Sequence, residues 1–305
     1  MSTKNATEWL MSHKRFDAHQ LKKIPNRTYS VAITSGKGGV GKTSVSIKMA
    51  KVLAEDGYRV LLVDFDTNLS NTAVKLGLPI NDNFYDLLSS KKNFEDCIYS
   101  DGNFHLLSAC NGNLNMLDNE VGLDKIIIDI IGEHEKEYDF ILLDCPAGLS
   151  KESLSLSAYC DFRFVVVTPD RSSITDSYSL IKILNQKYGV TENHLLLNKV
   201  SSNRQYERLV KSLSETVNNF LTCRLQILGG LSFENQEVDH FDRLLLKDAG
   251  SKIHKNILKV IKRFTEKDIG TSFSNQDDHL AREESLVPYA PKNLGVDDLE
   301  QDVQL

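Results

Sequence analysis

Paired cysteines, long apolar runs and an excess of positive charge are all missing from this sequence of 305 residues. Its five cysteines, Cys97, Cys110, Cys145, Cys160 and Cys223, lie far apart. No two have the C-x-x-C spacing of zinc sites and redox dithiols. No apolar stretch approaches the roughly 18 residues of a membrane-spanning helix. The first residues mix Lys, Glu, His and Arg with Trp9 and Leu10, unlike the apolar centre of a signal peptide, so a cytoplasmic setting is expected. A net charge of −6 argues against a generally basic nucleic-acid binder, while leaving room for a local basic patch.

What is present is an ordinary globular composition, 41% hydrophobic and 26% charged, sufficient to bury a core of normal size. The length suits one large α/β domain of roughly 200–250 residues with extensions. Charge is unevenly spread: residues 266–305 hold ten acids against three bases, a net −7, which leaves the preceding body near +1. The expected organisation is an N-terminal arm over 1–27, a weak helix ending at Pro25, then a nucleotide-binding domain over 28–265 and an acidic, disordered tail over 266–305.

Within the body, short apolar runs alternate with helical patterns. Strands are expected at Tyr29–Thr34, Arg59–Val63, Phe104–Leu107, Tyr138–Leu143, Phe162–Val167, His194–Leu197 and Leu225–Leu228. Helices are expected at Ser44–Asp56, Phe84–Leu88, Leu123–His134, Ser173–Tyr188, Gln205–Phe220 and Ile253–Phe264. Continuous apolar strands between helices imply a three-layer, doubly wound α/β fold with a mostly parallel sheet. Such sheets bind ligands beyond the carboxyl ends of their strands, where a glycine-rich loop, Asp64 and Asp144 converge.

The loop Gly36-Lys37-Gly38-Gly39-Val40-Gly41-Lys42-Thr43 satisfies the G-x-x-x-x-G-K-[ST] pattern between a strand and a helix. Glycines let backbone N–H groups turn toward phosphate oxygens, and the helix adds its positive N-terminal end, beginning near Ser44. Lys42 would place a point charge on the β- and γ-phosphates of ATP, and the Thr43 hydroxyl would ligate Mg²⁺. Alternation places Asp64 and Asp66 on one side of their strand end. Together with Asp144 after Phe140–Leu143, they are candidates for metal work through water.

The second loop lysine, Lys37, makes the segment resemble the deviant Walker A signature of the MinD/ParA ATPases, P-loop proteins of the SIMIBI type. The resemblance covers roughly residues 28–264. It implies that Lys37 acts on the nucleotide of a partner copy, so that the site is complete only in a homodimer formed with ATP. By the same resemblance, Asp64 helps hold the magnesium shell, Asp66 orients the attacking water, and Asp144 is the Walker B acid. Pro146-Ala147-Gly148 resembles the family's second switch, whose glycine N–H follows the γ-phosphate. Asn198 matches the asparagine that reads adenine. The implied activity is slow, partner-stimulated ATP hydrolysis used as a timer.

Thr168–Lys182 (TPDRSSITDSYSLIK) resembles the TPEPTSITDAYALIK block of the flagellar-number regulators of the FlhG (FleN, YlxH) branch. Phe220-Leu221 through Leu228-Gly229-Gly230-Leu231, and Asn71 with Leu76-Gly77-Leu78, fit that branch as well. Departures are Asn68-Leu69 for the usual Gly-Leu, Thr72 for an acid, and Asp144-Cys145-Pro146-Ala147-Gly148, which reads more like MinD's DSPAG than DTGAG. The branch's activator arm DQAxxLR, which stimulates the GTPase FlhF, has a degenerate counterpart in Phe16–Lys22 that keeps Ala18 and Leu21. An FlhF-like GTPase and flagellar switch proteins are therefore the expected partners. Lys252–Phe264 is basic and amphipathic, either the last core helix, which is favoured, or a contact for anionic lipid at the membrane. The alternatives are a MinD-type division-site regulator and a ParA-like partition ATPase that binds DNA non-specifically, the latter with Lys182, Lys187, Lys199, Arg204, Arg208 and Lys211 as scattered candidates for DNA contact. A metallocluster carrier ranks last for want of paired cysteines.

Overall fold

In the computed structural model, residues 27–65, 71–79, 83–88, 91–108, 123–234 and 250–270 are described. The arm up to residue 26, Asp66 and residues 271–305 lie outside them, as do the expectations placed on those positions. The strands are β1 (Tyr29–Thr34), β2 (Val60–Asp64), β3 (Tyr99–Asp101), β4 (Phe104–Ser108), β5 (Phe140–Asp144), β6 (Phe162–Val167), β7 (Glu192–Val200) and β8 (Arg224–Ser232). They form one sheet in the order β3-β4-β2-β5-β1-β6-β7-β8. All neighbours are parallel except the short outer pair β3–β4.

Alternation within each strand assigns the helices. Val31 and Ile33 of β1 share one face with Leu62, Leu142 and Val166, covered by α1 (Lys42–Glu55) and α9 (Lys252–Phe264). On the opposite face, Ala32, Val63, Ile141 and Leu143 lie under α5 (Leu123–His134). Val165, Val167, Leu195 and Leu197 lie there too, under α7 (Arg171–Tyr188) and α8 (Asn203–Phe220). Strands β2 and β5 are buried at every position, which is why they carry no polar alternation. This is the three-layer, doubly wound arrangement expected from the sequence.

Shorter helices complete the set: α2 (Asn71–Lys75), α3 (Asn83–Leu88), α4 (Phe94–Cys97) and α6 (Lys151–Tyr159). Of these only α3 has a counterpart among the sequence-derived elements. The basic amphipathic segment is a core helix. In α9, Ile253, Ile257, Val260, Ile261 and Phe264 are at most 4% exposed, packed toward β8 and α1. That apolar face is therefore not available to lipid, and the favoured core-helix reading describes it where lipid contact does not. Backbone structure continues through a π-helical turn, Thr265–Ile269, closed by Gly270 at φ 76°.

The chain runs from β1 to β2 on one side and, after β5, crosses to β6 on the other. A reversal of this kind opens a crevice at the carboxyl ends of the central strands. The loop after β1 sits there.

Candidate nucleotide-binding site

The loop owes its shape to two close approaches. A Cβ on Gly36 would lie 2.2 Å from the carbonyl carbon of Asp176 and 2.3 Å from its oxygen, so only glycine fits where the loop crosses α7. Gly41 takes φ +93° just before α1, and a Cβ there would stand 2.5 Å from Asn198 Nδ2. Lys42 and Ser44 follow on the first turn of α1, both buried. The Ser35 hydroxyl donates to the Lys37 carbonyl at 2.7 Å and tightens the entry to the curl.

The end of β7 braces the loop from beneath. Asn198 Nδ2 donates to the Val40 carbonyl at 2.7 Å, while its Oδ1 accepts the Lys199 N–H at 2.8 Å. Lys199 adopts a left-handed φ of 58° and its ammonium donates to the Gly39 carbonyl at 3.0 Å. Asn198, expected at the base, is thus also a strut of the phosphate loop. An amide retains a second hydrogen and a second lone pair for another partner. The bracing role of Lys199 had no signal in its residue type, because it depends on the backbone turn at the strand end.

Asp64 and Asp144 end neighbouring strands and are paired in register, each 1% exposed. Burial and the negative charge of Asp64 hold the Asp144 carboxyl above the usual carboxylate range, against the opposing effects of Thr43, Lys42 and Ser46. The Ser46 hydroxyl donates to Asp144 Oδ1 at 3.2 Å, and Oδ2 has no hydrogen-bond partner among the described residues. Asp64 accepts the backbone N–H of Thr72 at 3.3 Å, a contact any residue but proline could make at position 72. Two buried carboxylates and a hydroxyl, with one Asp144 oxygen unpartnered among the described residues, are hard donors gathered at one place. The donor set fits a Mg²⁺ ion that keeps several waters and shares phosphate oxygens. Thr43, Asp64 and Asp144 would hold it. When bound, it would neutralise charge on the phosphates.

The two groups expected to sense the γ-phosphate are engaged within the chain. The Gly148 N–H, at φ +94°, donates to the Ser35 carbonyl at 2.9 Å. Pro146 and Ala147 precede it, with the Pro146 carbonyl accepting from Ser153 Oγ at 3.0 Å. The Lys37 ammonium, in turn, donates to Asp170 Oδ1 at 2.8 Å and to Ser172 Oγ at 2.6 Å. Asp170 is the N-cap of α7 and accepts the Ser173 N–H at 2.9 Å. It also accepts from the Thr168 and Ser172 hydroxyls at 2.6 and 2.7 Å. The Lys37 hydrogen bond, followed by that of Thr168, holds its carboxyl well below the usual range. Sequence reasoning began this helix at Ser173 and missed Asp170. The available signal was an Asp three residues before a Ser at the start of a periodic run.

A strand, a glycine loop curled at a helix start and two strand-end acids define a P-loop nucleotide-binding protein. The AAA domain family matches residues 28–195. The antiactivator FleN of Pseudomonas aeruginosa is 31% identical over 205 residues, 67% of this chain and 73% of that protein. The flagellum site-determining protein YlxH of Helicobacter pylori is 32% identical over 211 residues, 67% and 69% of the two chains. Among solved structures, the septum site-determining protein MinD of Pyrococcus horikoshii, complexed with Mg-ADP, superposes with a TM-score of 0.64 at 25% identity, covering 80% of this chain and 98% of that one. The chain belongs to the MinD/ParA family of deviant Walker A ATPases.

Proposed function

We propose that this protein is an ATP-hydrolysing, dimerising switch that regulates the number or placement of flagella. The observation that carries the reading is the convergence, at one end of the sheet, of a complete GKGGVGKT loop with the buried pair Asp64 and Asp144. The likeness to FleN and YlxH supplies the flagellar setting.

In this reading Lys42 and the loop N–H groups hold the β- and γ-phosphates, aided by the start of α1. Thr43, Asp64 and Asp144 position Mg²⁺, and Asp66 orients the attacking water. Gly148 exchanges the Ser35 carbonyl for the γ-phosphate, shifting the Pro146–Gly148 segment when ATP is present. Lys37 leaves its own chain and meets charge developing on the partner's phosphoryl group, which makes hydrolysis conditional on pairing. Asn198 serves the base edge while bracing Val40. Slow turnover times the life of the pair, during which an FlhF-like GTPase or a flagellar switch protein reads it.

The test is the dependence of ATP turnover per chain on protein concentration. A dimer-gated enzyme gains specific activity as concentration rises and then saturates. Turnover per chain that stays flat across a wide concentration range would contradict the gate.

A further inference from the structure

We infer that the lysines on the outer side of α9 form a docking stripe for the acidic segment 271–305 of the same chain. No residue assigned to the nucleotide belongs to α9, so this docking is independent of the switch proposed above.

The stripe follows from the spacing of α9. Lys252, Lys255, Lys259 and Lys262 are three, four and three positions apart, which at 3.6 residues per turn puts them on one side of the helix. The other side carries the apolar residues buried toward β8 and α1. Lys252 is exposed, and Lys255, Lys259 and Lys262 are partly so. Helix α9 contains no acid, so the i, i+4 pairing that often offsets such a row is missing from it. Beyond the helix, Asp268 is turned inward against His194 at 3.5 Å, and Glu266 lies past Lys262 at the far end. Burial, and after it the charge of Lys255, hold the Lys259 ammonium below its usual range. An anion beside the two lysines offsets their repulsion.

Residues 271–305 supply the complement. They hold eight acids against two bases, and so carry the whole net charge of −6. The segment also starts in the right place. Gly270, exposed and left-handed at φ 76°, closes the helical run that follows α9 and lets the backbone reverse. Lys259 lies eleven positions before Gly270, about 16 Å along the helix axis. Asp277 lies seven positions after it, an extended reach of up to about 23 Å. Asp277 and Asp278 therefore reach Lys259 and Lys262, while Glu283 and Glu284 have chain enough for Lys255 and Lys252. Such a tether holds the acids at an effective concentration on the order of millimolar, so any free polyanion must displace them. Because the apolar side of α9 is in the core, whatever binds the stripe brings charge alone.

Carbodiimide coupling of the full chain, with mass spectrometry of the monomer fraction, tests this docking. Links are expected between the carboxylates of 277–284 and the lysines of 252–262. Their yield should be comparable to that of Lys211 with Glu215, a pair one turn apart on α8 at 3.9 Å that serves as internal control. A second measurement uses the variant Asp277→Asn, Asp278→Asn, Glu283→Gln, Glu284→Gln. Its Lys255 and Lys259 are expected to label with a small amine-reactive reagent roughly three-fold faster than in the wild type, relative to Lys211. Formation of the control link with none joining the segment to α9 would overturn the docking. So would links confined to paired copies, which would assign the stripe to a neighbour's segment. Equal labelling of variant and wild type would overturn it as well.

Discussion

Two carboxylates at the same rim of the sheet live in opposite circumstances. Asp144, at the end of β5, is buried beside a second acid, has an oxygen without a hydrogen-bond partner among the described residues and is held above the usual carboxylate range. Asp170, at the head of α7, is half exposed, accepts from four donors and is held below that range. The first is a carboxyl whose burial beside a second acid outweighs the pull of Lys42. The second is an anion already supplied with a cation from its own chain. The difference teaches what each side of the site has at hand: the β2–β5 side carries donors that fit a metal, and the α7 side has Lys37.

The largest expected effect breaks the first side. Lys42 is the cation that lowers the Asp144 carboxyl from within the loop. Lys42→Ala removes that help together with the phosphate contact, and ATP affinity by calorimetry is expected to fall by roughly 100-fold, as loss of a charge-assisted contact implies. Retention of affinity within a few-fold would detach the loop from the nucleotide.

Gly36→Ala acts on the second side. The new methyl meets the Asp176 backbone at 2.2–2.3 Å, and backbone cannot yield as a flexible side chain can. A loss of about 3 kcal/mol is expected, with α7 displaced from the loop, measured by denaturant unfolding. A neutral substitution would show that the loop and α7 are not locked.

Asp144→Asn reverses the usual sign of a site mutation. Because the folded state raises this carboxyl, folding favours its protonated form, and its contribution to stability declines as pH climbs above about 4. The amide has no charge to bury, so stability at pH 7 without nucleotide should rise by about 1–2 kcal/mol and its decline with pH should flatten. The same variant should lose the part of ATP affinity that depends on Mg²⁺. A less stable variant would mean that the carboxylate is satisfied by groups the account has overlooked.

The smallest effect is expected at Asp170. Its lowered carboxyl stabilises the fold above about pH 4, and that contribution disappears as pH falls through the folded-state value. Because the side chain is half exposed, Asp170→Asn should shift acid unfolding by less than about 1 kcal/mol. A large destabilisation near neutral pH would make Asp170 a structural anchor instead of an exchangeable partner.

The same contrast marks how far sequence reading reached. The strands Tyr29–Thr34 and Phe162–Val167 and the helix Leu123–His134 have the bounds expected, since their apolar runs or periodic stripes are unbroken. The acids Asp64 and Asp144 were legible because each directly follows an apolar strand core. Helix α6 was not, since Lys151–Tyr159 places Leu154 and Leu156 two apart among serines, without a helical stripe. Strand β7 extends beyond His194–Leu197 because Asn193 and Asn198 are polar yet buried. The Asp170–Lys37 pair and the Lys199–Gly39 contact join positions more than 130 residues apart. No local pattern announces such contacts; only the packing of α7 and β7 against the loop creates them.

The central claim is that one chain's lysine completes another chain's site, and mixing two inactive variants tests it most directly. Lys37→Ala and Asp66→Ala should each be inactive alone. Combined in equal amounts, they should recover roughly a quarter of wild-type ATP turnover, because half the dimers are mixed and each mixed dimer contains one complete site. No recovery, in a mixture shown to dimerise with ATP, would contradict the account.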